Sequence, residues 1–392
     1  MKVVQFGLRY SPNLGDGIIA ECLAHEIRAQ APGAEVVLID ISGRDGFGAV
    51  TVRNRALALK VLGVLPRSLR HRIVRRRLGR LLDRVAPAWA AALQGADLAM
   101  IGGGQILADA DLNFPLKIAR AALVAAEAGV PVVVHAAGVQ PGWSREGRAL
   151  FERLFTADLH RVALRDEPSR AAWTRETGGR GPAPVFARDP GLLAAPCYGP
   201  GEQTGRIGLC ITDPAILRYH ADGGVAGGSL AFWRETARAL ADAGHAITLF
   251  CNGAVEDRAA LERLGLDPEM AALIQTGALT IAAMPQRPAE LARMIGGFRG
   301  VVAHRLHACI VAWSYRVPVV GLGWDRKVES FFASVSAEDA FLGAKATPAE
   351  IAARLQAALD AGIAPETYAK VLAETRAGIA EALQSARRSV KR

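Results

Sequence analysis

Short apolar runs alternate with amphipathic stretches over nearly the whole chain. Residues 3–8, 36–41, 98–101, 132–136, 162–165 and 185–187 are mostly Val, Ile, Leu and Ala, and helical spacing fills the intervals, as at 17–30 and 116–128. Apolar runs of this length bounded by turn residues predict strands buried on both faces, and strands that alternate with helices predict a parallel sheet. A second series follows at 207–211, 246–251, 279–283, 300–303 and 317–321. Between the two series Pro196, Gly199, Pro200, Gly201 and Gly205 crowd one stretch, which makes 196–205 the expected linker. The pattern therefore predicts an α/β protein of two Rossmann-like domains facing across a cleft, over 1–195 and 206–335, with C-terminal helices over 336–392. In that last segment Thr347, Pro348 and Glu350 read as a capping box with proline at the first helical position, opening a helix to about residue 360. A final helix is expected over 365–387.

Composition agrees with two ordinary cores: the chain has 392 residues, 51% hydrophobic and 22% charged. Its five cysteines are widely spaced and sit mostly in apolar runs, so they read as buried small hydrophobes of a reducing, cytoplasmic protein. No disulfide framework or paired-cysteine metal site is suggested. Residues 1–7 read as a first strand, too short for the apolar core of a signal peptide, and no stretch reaches the length of a membrane span.

Charge changes the picture at one place. The net charge is +9, and much of the excess lies in Arg67, Arg70, Arg72, Arg75, Arg76, Arg77, Arg80 and Arg84. Ile73, Val74, Leu78, Leu81, Leu82 and Val85 recur among them at helical steps, so 67–84 is expected to be an amphipathic helix with a cationic face. Two readings stand: a solvated helix face, or a peripheral contact with an anionic membrane surface or glycolipid. Nucleic acid is disfavoured, because no aromatic interleaving or binding motif accompanies the charge.

Candidate chemistry gathers where strands end, the edge at which open α/β sheets bind ligands. Asn13, Gly15 and Asp16 follow the first strand, either capping a helix or offering backbone N–H groups to a polar ligand. Gly102, Gly103 and Gly104 follow the third, either as a packing turn or as a place of close approach to substrate. Arg165 ends a strand and Ser169 begins the next helix; the guanidinium there grips an anion, or else pairs with Asp166 or Glu167. His304, Arg305, His307 and, one strand later, Lys327 predict a basic pocket suited to an anionic substrate. With no set of residues at metal-ligand spacing, His307 is assigned to acid–base work.

Taken in order, Asn13-x-Gly15-Asp16, Gly102 to Gly104, Arg165-Asp166-Glu167-x-Ser169, Asp189-Pro190, Arg305-Leu306-His307 and Asp325-x-Lys327 resemble the polysaccharide pyruvyl transferases. The resemblance spans about residues 3–332 and implies a GT-B-like fold. It also implies transfer of the pyruvyl group of phosphoenolpyruvate onto two sugar hydroxyls, forming a cyclic ketal and releasing phosphate. Arg165, His307 and Lys327 would then surround the donor with Arg305 and Ser169 beside them, and Asp16 would hold or deprotonate the acceptor hydroxyl. Asn13, Gly15, Gly103 and Gly104 would line acceptor or loop contacts. No cofactor is expected beyond phosphoenolpyruvate as donor substrate, and no metal. The acceptor that the resemblance implies is a sugar of an exopolysaccharide or cell-surface glycan precursor, free or in a lipid-diphosphate-linked form that would be met at the inner face of the cytoplasmic membrane. His304 departs from the family, many members of which carry a small hydroxyl residue there. Two other readings remain at this stage, a GT-B glycosyltransferase using a sugar nucleotide and a non-catalytic glycan-binding subunit of an export complex.

Overall fold

The structure is a computed structural model and describes residues 1–48, 65–215, 217, 229–323 and 326–387. Two parallel six-stranded sheets carry the chain. The first is built from β1 (Lys2–Gly7), β2 (Glu35–Asp40), β3 (Leu98–Gly102), β4 (Val132–Ala137), β5 (Leu159–Leu164) and β6 (Val185–Phe186), in the order β2-β1-β3-β4-β5-β6. The second uses β7 (Ile207–Cys210), β8 (Ile247–Phe250), β9 (Leu279–Ile281), β10 (Gly300–Ala303), β11 (Val319–Leu322) and β12 (Phe341–Leu342), in the order β12-β11-β10-β7-β8-β9. β3, β4, β7, β8, β10 and β11 are buried along their whole length, which is why their sequences are apolar runs rather than alternating ones. β12, only two residues long and half-buried, has no such run to announce it.

Each sheet has a point where the strand order turns back, between β1 and β3 in the first and between β7 and β10 in the second. Connections leave on opposite faces there, and the carboxyl ends of the two strands open a crevice.

The chain forms two compact units whose boundaries differ from those expected. The first comprises Met1–Ser11, Ile19–Pro190 and Glu374–Arg392, and the second Pro12–Ile18 and Gly191–Ala373. The expected linker is thus laid along the second unit: Thr204 N–H donates to the Gly297 carbonyl, and a Cβ on Gly201 would stand 2.1 Å from the Arg293 carbonyl oxygen. Proline and glycine there mark irregular backbone, not a free tether. The C-terminal helices are likewise shared out. Glu374 pairs with Arg188 and Gln30 donates to the Arg376 carbonyl, so the end of helix Pro365–Arg387 returns to the first unit.

Helix Arg67–Leu93 runs beyond the expected 67–84 and carries Pro87 inside it. Its apolar stripe is spent on the fold, since Leu82, Ala86, Trp89 and Leu93 are buried in the core of the first unit and Trp89 meets Phe6 edge-on at 5.5 Å. The expected amphipathic face is therefore largely an inner face, and Arg72, Arg76, Arg77, Arg80 and Arg84 are among the residues that remain exposed. Among the described residues no helix is long and apolar enough to cross a membrane.

Candidate functional site

In the second unit the loop Pro12–Ile18, which follows β1 in sequence, is anchored beside β8. Leu14 N–H donates to the Asn252 carbonyl at 2.9 Å, and Gly253, with φ 91°, lies so near Pro12 that a Cβ would stand 2.8 Å from its carbonyl oxygen. This brings Asn13 and Asp16 to His307, in the first turn of helix Leu306–Ser314 after β10. Asn13 Nδ2 is 3.5 Å and Asp16 Oδ1 3.9 Å from His307 Nδ1. Both side chains of the His–Asp pair are mostly shielded, at 12% and 14% exposure. Shielding from water strengthens the attraction between opposite charges at such a distance. Gly15 is required by the same approach: a Cβ there would come within 2.3 Å of Nδ1 and 2.5 Å of Cγ of the imidazole.

Arg305 does not offer its charge to a ligand as expected. Its Nε and Nη2 fork onto the carboxylate of Asp257, both at 2.7 Å, and Asp257 Oδ1 also accepts from the Asp213 N–H. Burial works against the Arg305 cation, but Asp257 outweighs it and the pKa is raised. The pair ties the loop after β10 to the helix Val255–Gly265 and to the loop after β7, a positioning task. His304 is likewise drawn into the core: it is fully buried and stands edge-on to Trp233 at 5.0 Å. Of the four residues expected to form a basic pocket, Arg305 is thus paired within the protein and His304 is enclosed in the core. Lys327, half-buried, lies in the first turn of helix Arg326–Ser334 at the carboxyl end of β11, while Trp324 and the motif residue Asp325 lie outside the described residues.

Hydrogen-bonding capacity is left open at this edge. Asn13 Oδ1, Asn252 Nδ2 and Thr212 Oγ1 are buried with no hydrogen-bond partner among the described residues. Asn252 and Thr212 follow β8 and β7, so these atoms are in reach of a ligand or water at that edge. Sequence reading missed Asn252, Thr212 and Asp257. Asn252 before a glycine at a strand end was the available signal. The thiols nearby are inert, burial pushing Cys251 up to about 11 and Cys210 well above the ordinary range.

In the first unit three motifs converge. Arg165 follows β5; its Nη2 donates to Gln105 Oε1 at 3.1 Å, Nε is 3.4 Å from Asp166 Oδ2, and Nη1 is 4.0 Å from Asp189 Oδ2. Gly138 passes so close that a Cβ would stand 2.8 Å from the guanidinium. Arg165 thus has two carboxylates beside it, Asp166, as one of its two expected readings had it, and Asp189. Ser169 acts similarly: its hydroxyl accepts from the Val139 N–H at 3.0 Å while its own N–H donates to Asp166. The glycine triplet serves close packing. A Cβ on Gly102 would stand 2.0 Å from the His135 carbonyl oxygen and one on Gly103, at φ 79°, 2.6 Å from Ile19 Cγ2, while the Gly104 carbonyl accepts from the Gly138 N–H. Lys117 was not foreseen; it is buried, donates to Ser42 Oγ at 2.9 Å, and its pKa is lowered to about 8 by burial and by Arg44.

A family model described as polysaccharide pyruvyl transferase matches residues 13–326. No curated protein matches significantly. Among solved structures, UDP-GlcNAc 2-epimerase from Methanocaldococcus jannaschii is similar with a TM-score of 0.53 at 10% identity, over 92% of each chain. A further UDP-N-acetylglucosamine 2-epimerase gives 0.53 at 9% identity over 97% of this chain and 94% of that one. S. aureus MnaA, solved with UDP, gives 0.50 at 10% identity over 96% and 90%. At such identities the likeness concerns the fold, which is α/β with two Rossmann-like domains of the GT-B-like kind.

Proposed function

Because the chain belongs to the polysaccharide pyruvyl transferase family, we propose that it transfers the pyruvyl group of phosphoenolpyruvate to two hydroxyls of a sugar in a glycan precursor. The family assignment implies the transferase class and a polysaccharide acceptor; the observation that carries the chemistry is the cluster of His307, Asp16 and Asn13 at the carboxyl edge of the second sheet. A proton added to the donor's methylene carbon leaves C2 electron-poor. One sugar oxygen bonds to C2, the bond from C2 to the phosphate oxygen breaks, and the second sugar oxygen closes the ketal. Of the two hydroxyl protons, one ends in the new methyl group and the other on phosphate, so no redox partner or hydrolytic water is needed.

His307 is the group assigned to moving a proton, since an imidazole exchanges it near neutral pH and the Asp16 carboxylate lies 3.9 Å from the ring. Lys327 supplies the cation that meets the donor's phosphate or carboxylate, and the open atoms of Asn252 and Thr212 add neutral hydrogen bonds. Arg165 and Arg305, already matched by carboxylates, are assigned to holding their loops. No metal is assigned to any step.

The deciding experiment measures phosphate released from phosphoenolpyruvate with a sugar acceptor, beside hydrolysis and transfer of UDP-sugars. Release that depends on the acceptor and falls about 10² to 10⁴-fold in His307→Ala is expected. Turnover of a UDP-sugar without any phosphoenolpyruvate reaction would replace this reading by sugar-nucleotide chemistry, and inertness toward both donors would leave a glycan-binding subunit.

A further inference from the structure

Helix Arg67–Leu93 shows two populations of arginine. Arg67, Arg70 and Arg75 have carboxylate partners in Asp109, Asp111 and Glu146. Arg72, Arg76, Arg77, Arg80 and Arg84 are exposed and have no ion pair among the described residues. At 100° per residue the five fall within an arc of about 140°, and from Arg72 to Arg84 they extend over roughly 18 Å of helix. The one acid on that arc, Asp83, is taken by Arg120. The opposite face, with Leu82, Ala86, Trp89 and Leu93, is buried in the first unit, so the helix is rigidly mounted and cannot turn another face outward.

We propose that this face is a docking surface for an anionic lipid bilayer, met by the five arginines side on. The partner follows from charge and shape. A row of exposed guanidinium groups along one face of a helix matches a plane of phosphates, each engaged by a planar fork. Because the apolar stripe is used internally, the helix does not insert; attachment is electrostatic, reversible and steeply salt-dependent. Double-stranded nucleic acid is the less fitting polyanion, since no aromatic side chain or hydrogen-bonding amide accompanies the arginines on the arc. The inference is independent of the reaction proposed above.

The test is co-sedimentation of the full chain with vesicles of phosphatidylglycerol and phosphatidylcholine, beside vesicles of phosphatidylcholine alone. Binding to the anionic vesicles alone at low salt is expected, with each arginine replaced by glutamine weakening it about fivefold and molar salt abolishing it. The variant Arg72→Gln, Arg76→Gln, Arg80→Gln, Arg84→Gln is compared with Arg153→Gln, Arg175→Gln, Arg287→Gln, Arg299→Gln, which removes the same charge from exposed sites elsewhere. Both sets should keep the wild-type melting temperature, and only the first should lose the vesicles. Equal loss in the two sets would reduce the effect to net charge and overturn the proposal. Failure of the wild type to bind at low salt would do the same, as would tighter binding to duplex DNA at equal phosphate concentration.

Discussion

His307, to which the proton transfer is assigned, is closely held by a residue with no side chain of its own. The ring rests against Gly15, where any Cβ would overlap it, so Gly15→Ala is expected to turn the imidazole out of line with Asp16 and Asn13. A displacement of about 1 Å costs on the order of 10²-fold in rate, and the melting temperature should hardly move, because the loop keeps its hydrogen bond to Asn252. A Gly15→Ala enzyme with the wild-type rate would remove His307 from the mechanism. His135 is the contrary case, a histidine without a task in the chemistry. It is fully buried, neither ring nitrogen has a hydrogen-bond partner among the described residues, and burial, with Arg161 adding to it, lowers its pKa to about 4. The unfolded chain takes up a proton near pH 6.5 that the folded one refuses until about pH 4. Between those values stability should therefore fall with falling pH by about 1.4 kcal/mol per unit from this group. Urea midpoints at pH 7, 5.5 and 4.5 should show a shallower decline in His135→Leu than in the wild type; parallel declines would mean that the ring is already protonated when folded.

At the level of the element, position in the fold reassigns residues that look alike in sequence. Arg165 and Arg305 both stand at strand ends, yet each guanidinium is met by carboxylates with little or no exposure: Asp166 and Asp189 for the first, Asp257 for the second. Removing one partner of a buried pair leaves the other charge unpaired, so Arg165→Ala should cost about 3 kcal/mol in unfolding free energy. Adding Asp189→Asn should recover part of that. An Arg165→Ala protein of unchanged stability, binding phosphoenolpyruvate less tightly, would return this residue to the donor. The long helix teaches the same lesson. Its 3.6-residue spacing was legible in the positions of Leu78, Leu82 and Val85, but whether that stripe faced lipid or protein depended on Phe6, Ile101 and the rest of a sheet contributed by other parts of the chain.

For the whole molecule, assigning the chemistry to protein side chains has a direct consequence. Activity with phosphoenolpyruvate should survive exhaustive dialysis against a chelator, within about twofold of the untreated rate; among the described residues no group of His, Cys, Asp and Glu is arranged to hold a metal. A rate restored only by added divalent ion would require the charge handling to be reassigned from Lys327. The two units also depend on segments far apart in sequence, since Pro12–Ile18 completes the second and Glu374–Arg392 the first.

The sequence by itself determined the α/β class, nearly every strand and the family. Buried parallel strands must be apolar throughout, helices between them must be amphipathic, and the ordered motifs survive as local strings. The capping box at Thr347 and Glu350 was legible because all its atoms lie within one turn. Only the tertiary structure decided which charges are matched and which short segments meet. Arg305 lies 48 positions from Asp257 and Asn13 lies 294 from His307, so neither pairing leaves a periodic trace. Local patterning reports which face of an element is buried; what it is buried against, and hence whether an arginine binds a substrate or holds a loop, is fixed by distances that exist only after the chain has folded.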